Sequence, residues 1–255
     1  MEERQENYTI MEGYELPSKG EIYNVKVNSH VELRSMSARD EMKRLAPSTT
    51  QFKTLADIIE NCMIEKPAVH VYDMALGDYE FLLHKLRIVT YGGKYKMYLT
   101  CPFCGETNEV IYDLENLELK DFDLNAYNEL RTFVLPRSGH TVSIKFQTPR
   151  MLDEQELRAK EMKRKYKDAD IDFSTLVLLS LVIDTVDGVK LDPLKVESFI
   201  EKLPALDMTK ILNNVDALNV NLGLNTKIQV SCPTCGNDID AFFRFGPEFF
   251  RPTTV

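Results

Sequence analysis

The chain has 255 residues, 44% of them hydrophobic, with a formal net charge of −9 and a pI near 5.1. This composition supports a buried core and excludes wholesale disorder, while the acidic balance makes a phosphate backbone a poor default partner. The longest strongly apolar stretch, Leu176–Ile183, is broken by Ser180 and falls far short of the ~20 residues a membrane helix needs.

Met1–Tyr8 is charged and polar and lacks the apolar segment of a secretory signal. A soluble protein of a reducing cytoplasm is therefore expected, whose five cysteines serve as metal ligands or core thiols, not disulfides. Tyr14–Gly20 is a turn-rich opening, and Ile22, Tyr23, Val25 and Val27 behind it have strand-like spacing. Val31–Arg34 reads as a second strand. Ser37-Ala-Arg-Asp40 has the form of a helix N-cap, opening a short helix that ends near Leu45, before Pro47. In Thr54–Ile64, residues Leu55, Ile58, Ile59 and Cys62 recur at helical spacing, which makes Cys62 a buried core thiol. His84, within Phe81–Ile88, reads as an ordinary residue on the side of a helix.

Two segments then share the pattern C-P-x-C-G: Cys101-Pro-Phe-Cys104-Gly105 and Cys232-Pro-Thr-Cys235-Gly236. Tyr95, Met97 and Leu99 alternate before the first, and Val110, Ile111 and Tyr112 follow it. Ile228 and Val230 precede the second, and Ile239, Ala241, Phe243 and Phe245 follow. Each motif is expected at the tip of a β-hairpin. Two thiolates separated by two residues can both face one ion at ~2.3 Å. Proline after the first cysteine tightens the turn, and glycine after the second permits a left-handed backbone. Four thiolates close a tetrahedron with no open position, so one structural zinc held by Cys101, Cys104, Cys232 and Cys235 is expected. The 127 residues between the motifs are no obstacle, because loop-closure entropy grows only logarithmically. Two separate metal sites remain an alternative. So does a thioredoxin-type redox pair, although that chemistry wants a helix, not a strand, after the motif.

Between the motifs, Phe133–Gly139 echoes the first Leu-Pro turn and leads to a strand over Thr141–Phe146 and a charged helix over Thr148–Lys167. The Leu-Pro turns lie 119 residues apart and the cysteine motifs 131 apart, which suggests an internal pseudo-repeat. Leu176–Ile183, apolar nearly all round, is expected as a central buried helix. Asp187-Gly188 marks a tight turn; helices follow from Pro193 to Pro204 and over Asp207–Leu218. The whole reads as an α+β fold in which two hairpins form a split, zinc-ribbon-like module around a helical insert. The expected parts are 1–50, a hairpin and short helix; 51–147, carrying the first cysteine motif; 148–222, the helical insert; and 223–255, the second motif with an aromatic tail.

No P-loop, G-x-G-x-x-G, G-x-S-x-G or H-E-x-x-H is present, and His30, His70, His84 and His140 are scattered, so no enzyme is expected. Asp184, Asp187 and Asp192 match no calcium loop and read as solvated turn carboxylates. The basic run Lys160–Lys167 is interleaved with Glu156 and Glu161, as on a solvated helix laced by i,i+4 pairs. The rival function class is a zinc-ribbon module for nucleic-acid binding or transcription, which would need a basic face. Phe249 and Phe250, near the end of the chain, are candidate anchors for docking into a neighbouring subunit.

Leu16–Gly20, the short acidic helix, Leu82–Gly92 and Cys101-Pro-Phe-Cys104, followed by Val182–Gly188, Phe199–Asp207 and Cys232-Pro-Thr-Cys235, resemble one known family. These are the baseplate hub subunits and hub assembly proteins of T-even-type contractile-tailed phages. The resemblance covers roughly residues 10 to 245. It implies a non-enzymatic role with other baseplate and hub proteins as partners, in the host cytoplasm during assembly or in the tail baseplate of the virion.

Overall fold

Ser37 does what its sequence context predicts: its hydroxyl accepts from the Asp40 amide and the Asp40 carboxylate accepts in return, a closed capping box. The computed structural model, which describes residues 9–167, 170–243, 245 and 247–250, is α+β, with small antiparallel sheets joined by helices. Strand β1 (Met11–Glu15) pairs with β2 (His30–Arg34). Helices α1 (Ala38–Leu45), α2 (Gln51–Cys62) and α3 (Leu76–Tyr91) follow, then the hairpin of β3 (Lys94–Thr100) and β4 (Thr107–Asp113).

The second half opens with α4 (Leu124–Arg131), β5 (Thr132–Val134) and β6 (Thr141–Ile144), then α5 (Pro149–Lys165) and α6 (Phe173–Val182). Strand β7 (Ile183–Val186), α7 (Pro193–Ile200), α8 (Ala205–Val220) and the hairpin of β8 (Lys227–Ser231) and β9 (Asp238–Phe242) complete it. The middle sheet has the order β5-β6-β7.

Three expectations need correction. The segment carrying Ile22, Tyr23, Val25 and Val27 is turn and coil, not strand. Its apolar side chains act singly: Ile22 and Val27 are buried, and the Tyr23 hydroxyl donates to Asp78. The partner of β2 is instead β1, whose sequence Met-Glu-Gly-Tyr-Glu has little strand character and is mostly exposed. The apolar helix stops at Val182, and Ile183–Val186 leaves it as a strand beside β6, with Val142 opposite Val186.

Two apolar cores result. One packs α2 and α3 against Phe243, Phe245, Phe249 and Phe250; the other packs α6, α7 and α8 against β6 and β7. They meet where the end of α8 presses on the start of α3. A Cβ on Gly77 would lie 2.6 Å from the Leu222 carbonyl oxygen, so only glycine fits there. The halves run in parallel. Leu16 and Leu135 are both buried at the head of a Leu-Pro turn, and Gly20 and Gly139 close those turns at the same φ of 75°. Ser37 and Thr148 cap the helices that follow, and α3 and α8 have 16 residues each before their hairpins.

Candidate metal centre

Each cysteine motif forms a tight loop because its own backbone hydrogen bonds demand it. The Cys101 amide donates to the Glu106 carbonyl at 2.9 Å, and the Gly105 amide donates to the Cys101 carbonyl at 2.9 Å. In the second motif the Cys232 amide donates to Asn237 at 2.8 Å and the Gly236 amide to Cys232 at 2.9 Å. Gly105 and Gly236 both take φ of 75°, a conformation a β-carbon resists.

The two hairpins face each other. Tyr95 and Tyr112 of the first pack at a tilt on Phe243 beyond the second, with ring centroids 5.7 and 5.2 Å away. At the tips, Leu99 and Ile239 pack with Cys101 and Cys232. The contact is reciprocal: Cys101 Sγ lies 3.7 Å from Cys235 Sγ, and Cys104 Sγ lies 3.8 Å from Cys232 Sγ. All four sulfurs lie within 4.8 Å of one another. Sulfurs placed ~2.3 Å from the centre of a tetrahedron are about 3.8 Å apart along its edges. The donor set and its spacing therefore fit one tetrahedral metal ion, and they do not match a disulfide, whose sulfurs sit at ~2.05 Å.

Neighbouring groups tune the thiols. The Asn237 backbone amide and side chain together bring Cys235 down to about 6, and the Cys235 amide lowers Cys232. Cys104 moves up to about 12; the Glu106 amide favours its thiolate, but desolvation and the adjacent sulfurs prevail. Four crowded thiols without a cation cannot all ionise at once, and a divalent ion removes that conflict.

Sequence reasoning brought the four cysteines together and missed the residues around them. The Asn108 amide group donates to Cys232 Sγ at 3.4 Å, and its carbonyl oxygen accepts from the Thr234 hydroxyl at 2.8 Å. Asn237 donates to Cys235 Sγ at 3.4 Å. Its place directly after Gly236 was a usable signal; Asn108, lying on the other hairpin from the sulfur it touches, gave none.

Elsewhere the candidates scatter. Cys62 is fully buried, and burial raises its thiol to about 12, the profile of an inert core residue. Among the described residues, no other cluster of Cys, His, Asp and Glu gathers this closely. Asp187 accepts from the Thr141 amide and pairs with His140, and Asp192 caps α7. On α5, Lys160 pairs with Glu156 and Arg158 with Glu154, as the interleaved charges predict. His84 sits on α3, as read from the sequence, and is fully buried, with Nε2 against the Leu114 carbonyl at 2.9 Å.

The family model for T4 bacteriophage base plate protein matches residues 11–251. The chain belongs to this family. No curated protein and no solved structure gives a significant match. In this T4-type baseplate protein no helix among the described residues is long and apolar enough to cross a membrane. One expectation about partners is overturned. Phe249 and Phe250 are not docking anchors, because both are fully buried within their own chain. Phe249 packs edge-on to Phe245 at 5.0 Å and against Tyr95 at 5.4 Å. The neighbouring Arg251 and Pro252 lie outside the described residues.

Proposed function

We propose that this baseplate-family protein is a non-enzymatic hub component or hub assembly factor whose fold is fastened by one structural zinc. The observation that carries the zinc is the reciprocal sulfur geometry of Cys101, Cys104, Cys232 and Cys235. Four thiolates leave no coordination position for substrate, which fits a fastener and not a catalyst. Zinc, when bound, would tie the hairpins of the two halves into a split, ribbon-like module with on the order of 10 kcal/mol of apparent binding free energy. The parallel halves suit an internal pseudo-repeat in which each copy supplies two of the four ligands.

The hub role rests on family membership together with the resemblance of the sequence to hub subunits and hub assembly proteins. Elemental analysis of purified protein, alongside Cys101→Ser and Cys235→Ser, tests the metal: one zinc per chain is expected, lost with the fold in either variant. Two zincs per chain, or reduced thiols with no metal, would overturn it. For the hub role, infection with phage lacking this protein should yield tails without complete hubs, and normal hubs would overturn it. Mass spectrometry of purified virions then separates a resident hub part from an assembly factor that departs.

A further inference from the structure

The two halves differ at one ion pair. In the first, Arg34 ends β2 three residues before the cap Ser37, and Asp40 lies three residues after it; Arg34 and Asp40 pair at 2.9 Å. In the second half, Lys145 stands three residues before the cap Thr148, and Met151 occupies the place of Asp40. The backbone at Lys145 is held, its amide donating to the Val182 carbonyl at 2.8 Å, but the cation lacks the carboxylate its counterpart has.

What lies there instead is an open groove of about 320 Å³, lined by Ile22, Tyr23, Val25, Phe146 and Met151, with Lys145 and Arg131. Arg131 Nε donates to the Ile144 carbonyl at 3.4 Å, and neither cation forms an ion pair among the described residues. Burial lowers Lys145, with Asp184 and Glu154 acting on it only at longer range. Val25, half exposed, forms part of the rim. In a chain with nine more acidic than basic residues, two cations beside an apolar groove without a carboxylate are a mismatch with a shape.

We propose that this groove docks an extended segment of a neighbouring baseplate protein that carries a carboxylate beside a bulky apolar side chain. The carboxylate takes the position that Asp40 fills in the first half, between Lys145 and Arg131. The apolar side chain lies against Phe146 and Met151. Because the groove is closed on one side by the loop after the first Leu-Pro turn and on the other by the start of α5, an occupant touches both halves at once. The partner's nature as a baseplate protein rests on the assembly reading above; the groove's chemistry does not.

The test is an NMR titration of the ¹⁵N-labelled, metal-loaded full chain with the peptide acetyl-GSLEFSG-amide and with its Gln-for-Glu counterpart. Shifts should centre on the amides of Val25, Lys145 and Met151, and the Gln peptide should bind at least tenfold more weakly. Lys145→Met should lose the same discrimination with its thermal midpoint unchanged. Met151→Asp, which supplies an internal carboxylate, should weaken peptide binding without removing the cation. Equal binding of the two peptides, no shift at the groove, or self-association of the chain abolished by Lys145→Glu would each overturn the proposal, the last by making a second copy the occupant. A chain without zinc or hub role that still passed this test would sink the assembly reading alone.

Discussion

Asp78 and Asp207 each reach from the first turn of a 16-residue helix to the amides of a Leu-Pro turn. Asp78 accepts from the Ser18 amide at 3.0 Å and from the Ser18 and Tyr23 hydroxyls at 2.5 and 2.6 Å. Asp207 accepts from the Arg137 and Ser138 amides at 2.8 Å each. Both side chains are fully buried, and each also lies at the positive end of its helix dipole. Their environments differ in balance. Burial raises the Asp78 carboxyl against the pull of Ser18 and Tyr23, whereas at Asp207 the Ser138 and Arg137 donors outweigh burial and lower it.

Replacing either carboxylate by an amide leaves buried donors facing a weaker acceptor and a misplaced NH₂ group. Asp78→Asn and Asp207→Asn should each cost about 2 to 4 kcal/mol in urea unfolding. A loss under 0.5 kcal/mol in both would mean that the turns are held by their own backbone bonds and that the carboxylates are incidental.

Asn108 crosses from one hairpin to the sulfur of the other, and its counterpart position in the second hairpin is the apolar Ile239. Outer-shell partners of this kind typically govern metal affinity by 10- to 100-fold. With zinc in the cysteine cluster as proposed above, Asn108→Ala should therefore raise the rate of zinc loss to a chromogenic chelator by at least tenfold, while Asn125→Ala, at the exposed start of α4, leaves it unchanged. Equal rates for the two variants would reduce Asn108 to a bystander.

The parts of this fold that were legible in the sequence are those dictated locally. The cysteine hairpins were fixed by two turn residues and flanking alternation, and the caps at Ser37 and Thr148 by a hydroxyl at the right place. Asp187-Gly188 turns with positive φ at both positions, as that dipeptide predicts. What escaped depends on partners distant in sequence. β7 takes the last apolar residue of the run, Ile183, out of α6, and only pairing with β6 makes Ile183–Val186 a strand. β1 has weak strand propensity and exists because β2 offers an edge. The gathering of the four cysteines was legible, but the contacts of Asn108 and Thr234 beside them were not, because they arise only when the hairpins meet.

His84 gives the fold an acid limit separate from the cysteine cluster. Burial lowers its imidazole from 6.5 to about 4, only partly offset by the Leu114 carbonyl. The native state thus resists a proton that the unfolded chain accepts, so stability is full above pH 6.5 and is lost as pH falls toward 4. At roughly 1.4 kcal/mol per unit the loss across that window reaches about 3 kcal/mol at most. His84→Gln can keep a donor for Leu114 and cannot titrate. Urea unfolding at intervals between pH 7 and 4 should show a shallower decline for the variant, with any acid sensitivity of the metal common to both proteins. Parallel curves would remove His84 as the cause.

The aromatic end of the described chain is a structural plug. Phe249 and Phe250 are fully buried beside Phe245 and Tyr95, and the Phe249 carbonyl accepts from Arg87 Nε at 3.2 Å. Arg87 itself is buried in α3, and its guanidinium also donates to the Gly92 carbonyl at 2.8 Å, so one side chain ties helix, hairpin and tail. Truncating a buried phenylalanine costs about 3 to 5 kcal/mol through lost apolar transfer and the cavity left behind. Phe249→Ala should therefore lower the urea midpoint sharply, and Arg87→Met should do so by removing the donor that the Phe249 and Gly92 carbonyls face. Full stability in Phe249→Ala would show that the plug adds nothing to the core.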